Sequence, residues 1–362
     1  MPFVHAVLAL LVLVAAFPGT AVAEPVDAYP RIVERTITEF IRPGYDRLAA
    51  EAGAMDKVAA ALCASPSEET LSAARGQFAD LVDAWSRVEL LRFGPVREDN
   101  RYERLNFWPD RRSLGLRQVQ RIIAGKDESA IGAKALWDKS VAVQGLGALE
   151  FALFGTGADK LAEAGAADFR CRYAESIAAR MAATAGDVAS DWNKADGFSA
   201  VLLEPGDDNP VYRTHGEVVQ DLLRAMTEEM QFVRDLKIVA IMGEDAKDAN
   251  PRVAPFRRAG LTVAAIKANV ESVLAMFEKG DFISALGEED AWLSQSLRFE
   301  IGQVFQSLGQ VEDDFGKALR DEDKRKFLDL VLLSLHGAKE SIGDYYAGRT
   351  GLAIGFNSFD GD

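Results

Sequence analysis

The sequence predicts an all-α protein built as two pseudo-symmetric helical bundles with a cleft between them. Three observations carry that prediction. Apolar residues recur at helical spacing through most of the 362 residues, and no alternating apolar–polar runs bounded by hairpin turns interrupt them. Hydrophobic residues make up 48% and charged residues 27%, enough apolar material to bury a core and organise bundles. Finally, "DAWSRVELLRFG" from Asp83 and "DAWLSQSLRFEIG" from Asp290 repeat one pattern across the two halves, as do Gly145-Leu146 and Gly351-Leu352. Trp85 and Trp292 are matched in this repeat, and tryptophan is rare here, with 5 in the chain. The repeat predicts that these two tryptophans superpose as buried anchors, with Arg92 over Arg298.

The elements follow in order. Residues 1–23 read as a cleavable export signal: an uncharged run over 6–17, then Pro18-Gly19 and the A-x-A pattern Ala21-Val22-Ala23. The run is too short to span a bilayer, and no later stretch reaches transmembrane length without charge. This reading makes the mature protein periplasmic. An N-terminal bundle is expected over 24–205 and a C-terminal bundle over 206–362. The first helix, over 28–61, should kink or break at Pro43-Gly44. A second helix begins at a capping box formed by Ser65 and Glu68, with Pro66 at its first position, and continues through Leu71, Phe78, Leu81 and Trp85. Further helices are expected over 131–154, 169–192, 215–242, 256–278, 281–309 and 324–348. The segment 196–210, with Gly206-Asp207-Asp208-Asn209-Pro210, reads as the central connection.

Charge and cysteine content restrict the partners. A net charge of −15 excludes the basic face that nucleic acid binding needs, and fits a protein that attracts cations. The two cysteines, Cys63 and Cys171, are read as a disulfide in an oxidising compartment, against the alternative of two separate buried thiols. They lack the spacing of a thiol catalyst or a zinc site.

Three places could carry chemistry. In "VQGLGALEFALFG", Glu150 lies inside an apolar helical segment, one turn after Gly147. The glycines let a backbone or a ligand approach the carboxylate. Either Glu150 belongs to a metal or ligand site, or it is a buried carboxylate paired with Arg92 or Arg298 at a helix crossing. In "NFWPDRR", Trp108-Pro109-Asp110 reads as a rigid turn into a helix. Asp110 or Ser113 serves as its N-cap, or Trp108 and Asp110 face the cleft. His336, Glu340 and Asp344 share one helix face, either as metal ligands or as a solvated polar stripe. No HExxH, GxSxG or P-loop is present.

Several fragments together resemble the imelysin family: "LCASPSEETLSAARGQFADLVDAW", "FGPV", "NFWPD", "QGLGALEFALFG", "FRCRYAESI" and the ending "GLAIGFNSFDGD". The resemblance implies an exported protein of two related bundles, associated with iron uptake, in a family once catalogued as metallopeptidases. The family's GxHxxE motif, whose His and Glu are its proposed metal ligands, aligns with Gly145 to Glu150, and Gly147 stands where the histidine would be. The implied function is binding or accessory action in iron or other metal uptake, next to a membrane partner. A metal-dependent peptidase is the alternative. The cleft is assigned Glu150, Gly147, Arg92, Trp108, Asp110, Arg298 and Asn357. A bound iron or other divalent metal would draw on Glu150, His336 and Glu340.

Overall fold

The computed structural model describes residues 27–110, 112–312 and 314–352, and among them the regular structure is helical throughout. The expected signal segment and Asn357 lie outside the described residues. The first helix does not break at Pro43. It runs as Tyr29–Arg35 (α1), a π-helical turn Thr36–Ile41, and Arg42–Ala64 (α2). Proline has no N–H to donate to the preceding turn, and the widened π-helical turn takes up that mismatch without ending the helix.

The next helix, Glu68–Val88 (α3), starts later than the capping box read from the sequence. Ser67, not Ser65, is the N-cap: its hydroxyl accepts the Thr70 N–H at 3.1 Å, and Thr70 Oγ1 accepts the Ser67 N–H at 3.0 Å. Threonine takes the place of Glu68 in the reciprocal pair. The remaining principal helices are Leu114–Gly125 (α4), Gly145–Phe154 (α5), Phe169–Asn193 (α6), His215–Phe232 (α7), Thr262–Lys279 (α8), Trp292–Gly309 (α9) and Glu322–Glu340 (α10). π-Helical turns prolong α7 over Val233–Val239 and α10 over Ser341–Tyr346. The connection at 196–210 contains one short helix, Phe198–Leu203.

In the first half, α2 packs between α3 and α6. In the second, α9 pairs with α10, and α7 packs against α10 and α8. The halves are tied through their helices. α1 lies on α7, where the Tyr29 hydroxyl donates to the Thr350 carbonyl, and α8 lies on α3. The apolar core therefore runs without interruption through both halves. No single helix among the described residues is long and apolar enough to cross a membrane.

The cysteines form the expected bridge. Cys63 at the end of α2 joins Cys171 in the first turn of α6, with Cα atoms 5.6 Å apart. The bridge closes a loop 108 residues long, worth about 4–5 kcal/mol on chain entropy.

The tryptophans matched in the repeat occupy unlike environments, which corrects the expectation that both anchor bundles. Trp85 is buried edge-on against Tyr102, whereas Trp292 is 47% exposed in the first turn of α9. A tryptophan with half its surface in water cannot centre a core. The arginines differ as well. Arg92 is held inside by Glu229, and Arg298 makes a surface pair with Glu278.

A buried polar cluster fastens the halves together. Lys237, from the π-helical turn after α7, donates to Glu89 and to Asn269 Oδ1, the latter at 2.6 Å. Asn269 on α8 in turn donates to Glu89 at 2.9 Å and to the Ser86 carbonyl at 2.8 Å. Beside them Arg92 reaches Glu229 at 2.7 Å and the Tyr102 hydroxyl at 3.0 Å, with its guanidinium 4.0 Å from the Phe232 ring centre. Glu229 Oε1 has no hydrogen-bond partner among the described residues, and burial pushes this carboxyl up to about 7 despite Arg92. Glu89 is held low, because Lys237 and Arg92 together outweigh its desolvation.

Candidate functional site

The helix expected over 131–154 is divided, and its last piece, α5, begins at Gly145. The segment with Glu150 is thus a short helix of its own and not the end of a longer one. Gln144 is extended, and Gly145 turns the chain at φ +69° directly beneath the Arg104 and Leu105 carbonyls. A Cβ there would lie 2.3 Å from the Arg104 oxygen, so the position requires glycine. Gly147 has the opposite surroundings. It is exposed, and nothing among the described residues lies within 4 Å of where its Cβ would be.

One turn further along, Glu150 is buried, 6% exposed at the side chain, and its partner comes from the other half of the chain. Pro251–Val253 forms a 3-10 turn, Phe256 adopts φ +52°, the Leu261 N–H returns to the Phe256 carbonyl, and Thr262 Oγ1 donates to the Pro255 carbonyl. This compact turn presents two consecutive backbone N–H groups. Arg258 N donates to Glu150 Oε1 at 2.7 Å and Ala259 N at 3.2 Å, while Arg258 Nη1 is 3.5 Å from Oε2. Burial raises the Glu150 carboxyl above the usual range, opposed by Arg258 and the two N–H groups. The arginine beside Glu150 is therefore Arg258, and neither Arg92 nor Arg298. Both of those are committed to carboxylates elsewhere.

The "NFWPDRR" turn completes the site. Asp110 Oδ1 accepts the Leu114 N–H at 2.7 Å and Oδ2 the Leu116 N–H at 3.1 Å, so Asp110 caps α4, while Ser113, at φ +50°, makes no capping bond. Trp108 Nε1 donates to the Val253 carbonyl at 3.1 Å and so pins the 251–261 turn to the first half. Asp110 and Trp108 join Asn106, Gln144, Gly147, Glu150, Arg252 and Arg258 around a pocket of about 100 Å³ that opens to solvent.

Four of the residues expected at a cleft, Glu150, Gly147, Trp108 and Asp110, thus come together, and Arg92 and Arg298 do not. His336 and Glu340 form an exposed pair 3.3 Å apart on α10, the solvated stripe of the two readings. His215 lies at the first turn of α7, with Nε2 3.1 Å from the Leu203 carbonyl. The sequence reading missed Arg252 and Arg258. Their signal was the arginine-rich run "PRVAPFRR", which the expected helix over 256–278 partly absorbed.

The pocket's donors do not fit a tightly held divalent metal, which takes three or four ligands. Position 147 has no side chain, Glu150 Oε1 is occupied by two N–H groups, and both Asp110 oxygens cap a helix. Among the described residues no three His, Cys, Asp or Glu side chains gather as a metal site would require.

Comparison with known proteins agrees with this architecture. A family model described as Imelysin matches residues 41–342. An imelysin-like protein from Psychrobacter arcticum is similar in structure, with a TM-score of 0.75 and 20% identity over 93% of this chain and 100% of that one. An iron-regulated protein A precursor from Parabacteroides distasonis gives a TM-score of 0.70 at 17% identity, over 91% of this chain and 97% of that one. No curated protein matches the chain.

Proposed function

Because the chain belongs to the imelysin family, we propose that it is an exported binding or accessory protein that holds a small ligand in the pocket at Glu150 and serves iron or other metal uptake beside a membrane partner. The observation that carries this reading is the pocket itself. It is solvent-open and lined from both halves of the chain, with a glycine where a side chain would fill it and a buried carboxylate at its base. Export is supported by the signal-like N-terminus and by the precursor among the structural neighbours, and the link to iron by that neighbour's name.

The test is a thermal-shift screen of the wild type against Gly147→Phe, using ferrous, ferric and zinc ions, small organic acids and inorganic phosphate. The phenyl group enters open space from the pocket wall, so the variant should fold. At least one compound should raise the wild-type Tm and leave the variant unmoved. A panel in which every compound treats the two proteins alike would remove the pocket as the site. Growth of a deletion strain, slowed under iron limitation and normal in iron-replete medium, is expected from the iron link.

A further inference from the structure

We propose that the pocket at Glu150 takes a small carboxylate anion, gripped by Arg258 and Arg252, where the family motif would place a metal cation. This rests on the reading of the pocket as a ligand site and names the ligand's chemical class. The first support is a concentration of positive charge. Arg252, Arg257 and Arg258 fall within seven residues of a chain whose net charge is −15. Burial is the main cause of a lowered Arg257 pKa, with Arg258 and Arg252 adding to it and Glu150 opposing it.

The second support is unspent hydrogen-bonding capacity. Arg258 is largely withdrawn from water, with its side chain 19% exposed, and its guanidinium lies 5.4 Å from the Phe151 ring centre. Its five N–H donors make one contact among the described residues, the 3.5 Å approach to Glu150 Oε2. Arg252 lines the same pocket, and its guanidinium makes no hydrogen bond or ion pair among the described residues. Two guanidinium groups facing one cavity, both with donors to spare, match the paired oxygens of carboxylates.

The acidic groups oppose this only weakly. Asp110 delivers its charge to the N-terminus of α4 through both oxygens. Glu150 delivers its charge to two backbone N–H groups, and its burial favours the neutral acid. Gly147 leaves room for the anion beside the N-terminal end of α5, where the helix dipole favours negative charge. Trp108, Leu116 and Val119 line part of the pocket, which suits a short carbon skeleton better than a bare inorganic ion.

The experiment is calorimetric titration of the full chain with succinate and with citrate, with phosphate and zinc as comparison probes. It is run on the wild type, Arg258→Gln, Arg258→Lys, Arg252→Gln and Glu150→Gln, each checked for a cooperative thermal transition. The wild type should bind succinate or citrate more tightly than phosphate. Arg258→Gln should weaken that binding about 10- to 100-fold, the range of one or two charged hydrogen bonds. Arg258→Lys should recover only part of it, since an ammonium cannot form the bidentate pair. Arg252→Gln, at the exposed rim, should reduce affinity without touching the fold. Glu150→Gln, which removes an opposing charge, should tighten binding about threefold. Zinc binding abolished by Glu150→Gln, with no response to succinate or citrate, would overturn the anion and keep the pocket. Phosphate bound as tightly as succinate, with the same arginine dependence, would overturn the carboxylate class. Failure of all four probes, together with a flat thermal-shift screen, would overturn both readings.

Discussion

Replacing Lys237 with methionine tests whether the buried Glu89–Lys237–Asn269 cluster holds the two halves of the chain together. Both charged side chains are almost fully withdrawn from water, at 1% exposure for Lys237 and 2% for Glu89. Methionine preserves most of the stem volume, so no large cavity term enters. What is lost is charge compensation. Glu89 retains the Asn269 Nδ2 hydrogen bond at 2.9 Å and the more distant Arg92 but loses its hydrogen-bonded cation, and Asn269 Oδ1 loses its donor. Breaking a buried pair in this way costs about 3–5 kcal/mol, a large share of the roughly 5–15 kcal/mol by which such proteins are stable. Adding Glu89→Gln removes the stranded charge, and the glutamine amide can both accept from and donate to Asn269. The double variant should therefore return to within about 1–2 kcal/mol of the wild type. Urea unfolding at pH 7 of the wild type, both single variants and the double gives the coupling energy directly. A cost below about 1 kcal/mol for Lys237→Met, or a cycle that is simply additive, would refute the claim that this cluster is a stabilising unit.

Three further outcomes follow from the same structure. Reducing the Cys63–Cys171 bridge, or substituting serine for both cysteines, should lower stability by about 4–5 kcal/mol, read as a shift in the urea midpoint. Glu229, raised to about 7 by burial, favours the folded state when protonated, so its contribution is full below pH 4.5 and is lost as pH rises through about 7. Glu229→Gln should flatten that part of the stability-versus-pH curve. The two glycines of the Glu150 segment should respond in opposite directions. Gly145→Ala would force a Cβ against the Arg104 carbonyl at a positive φ and should prevent native folding, whereas Gly147→Ala, inside a helix with open space around it, should stabilise by about 0.5–1 kcal/mol in thermal melts.

What could be read from the sequence was what depends on local pattern. Apolar spacing identified most of the long helices, and the pairing of Cys63 with Cys171 followed from the export signal and the number of cysteines. Local competition was harder to read. Ser65 and Ser67 both stand ahead of the same helix, and the choice of Ser67 depended on Thr70 reaching back to its N–H. The division of 131–154 turned on the backbone at Gln144 and Gly145, where glycine serves a left-handed turn that spacing alone cannot distinguish from a weak helix position. The partner of Glu150 lies 108 residues away in a turn, and nothing in helical periodicity announces which arginine will arrive there. The repeat misled for a related reason. Asp83-Ala84-Trp85 and Asp290-Ala291-Trp292 agree in letters, but Trp85 is enclosed within α3, whereas Trp292 opens α9 beside Tyr345 at the surface.

The chemistry of the pocket follows from two differences that point the same way. The family motif would set an imidazole one turn before the glutamate, and with both groups exposed to a ligand the site would favour a cation. Here the imidazole is absent, and the glutamate faces a turn that supplies two N–H groups and Arg258. Losing the histidine alone would leave a weak cation site; the turn and its arginine go further, because they occupy the carboxylate and add positive charge that repels a metal ion at close range. Restoring the histidine by Gly147→His would therefore place a ligand beside a glutamate that is already engaged. Metal affinity should return only when Arg258 is also neutralised, so the two substitutions together should exceed the sum of their separate effects.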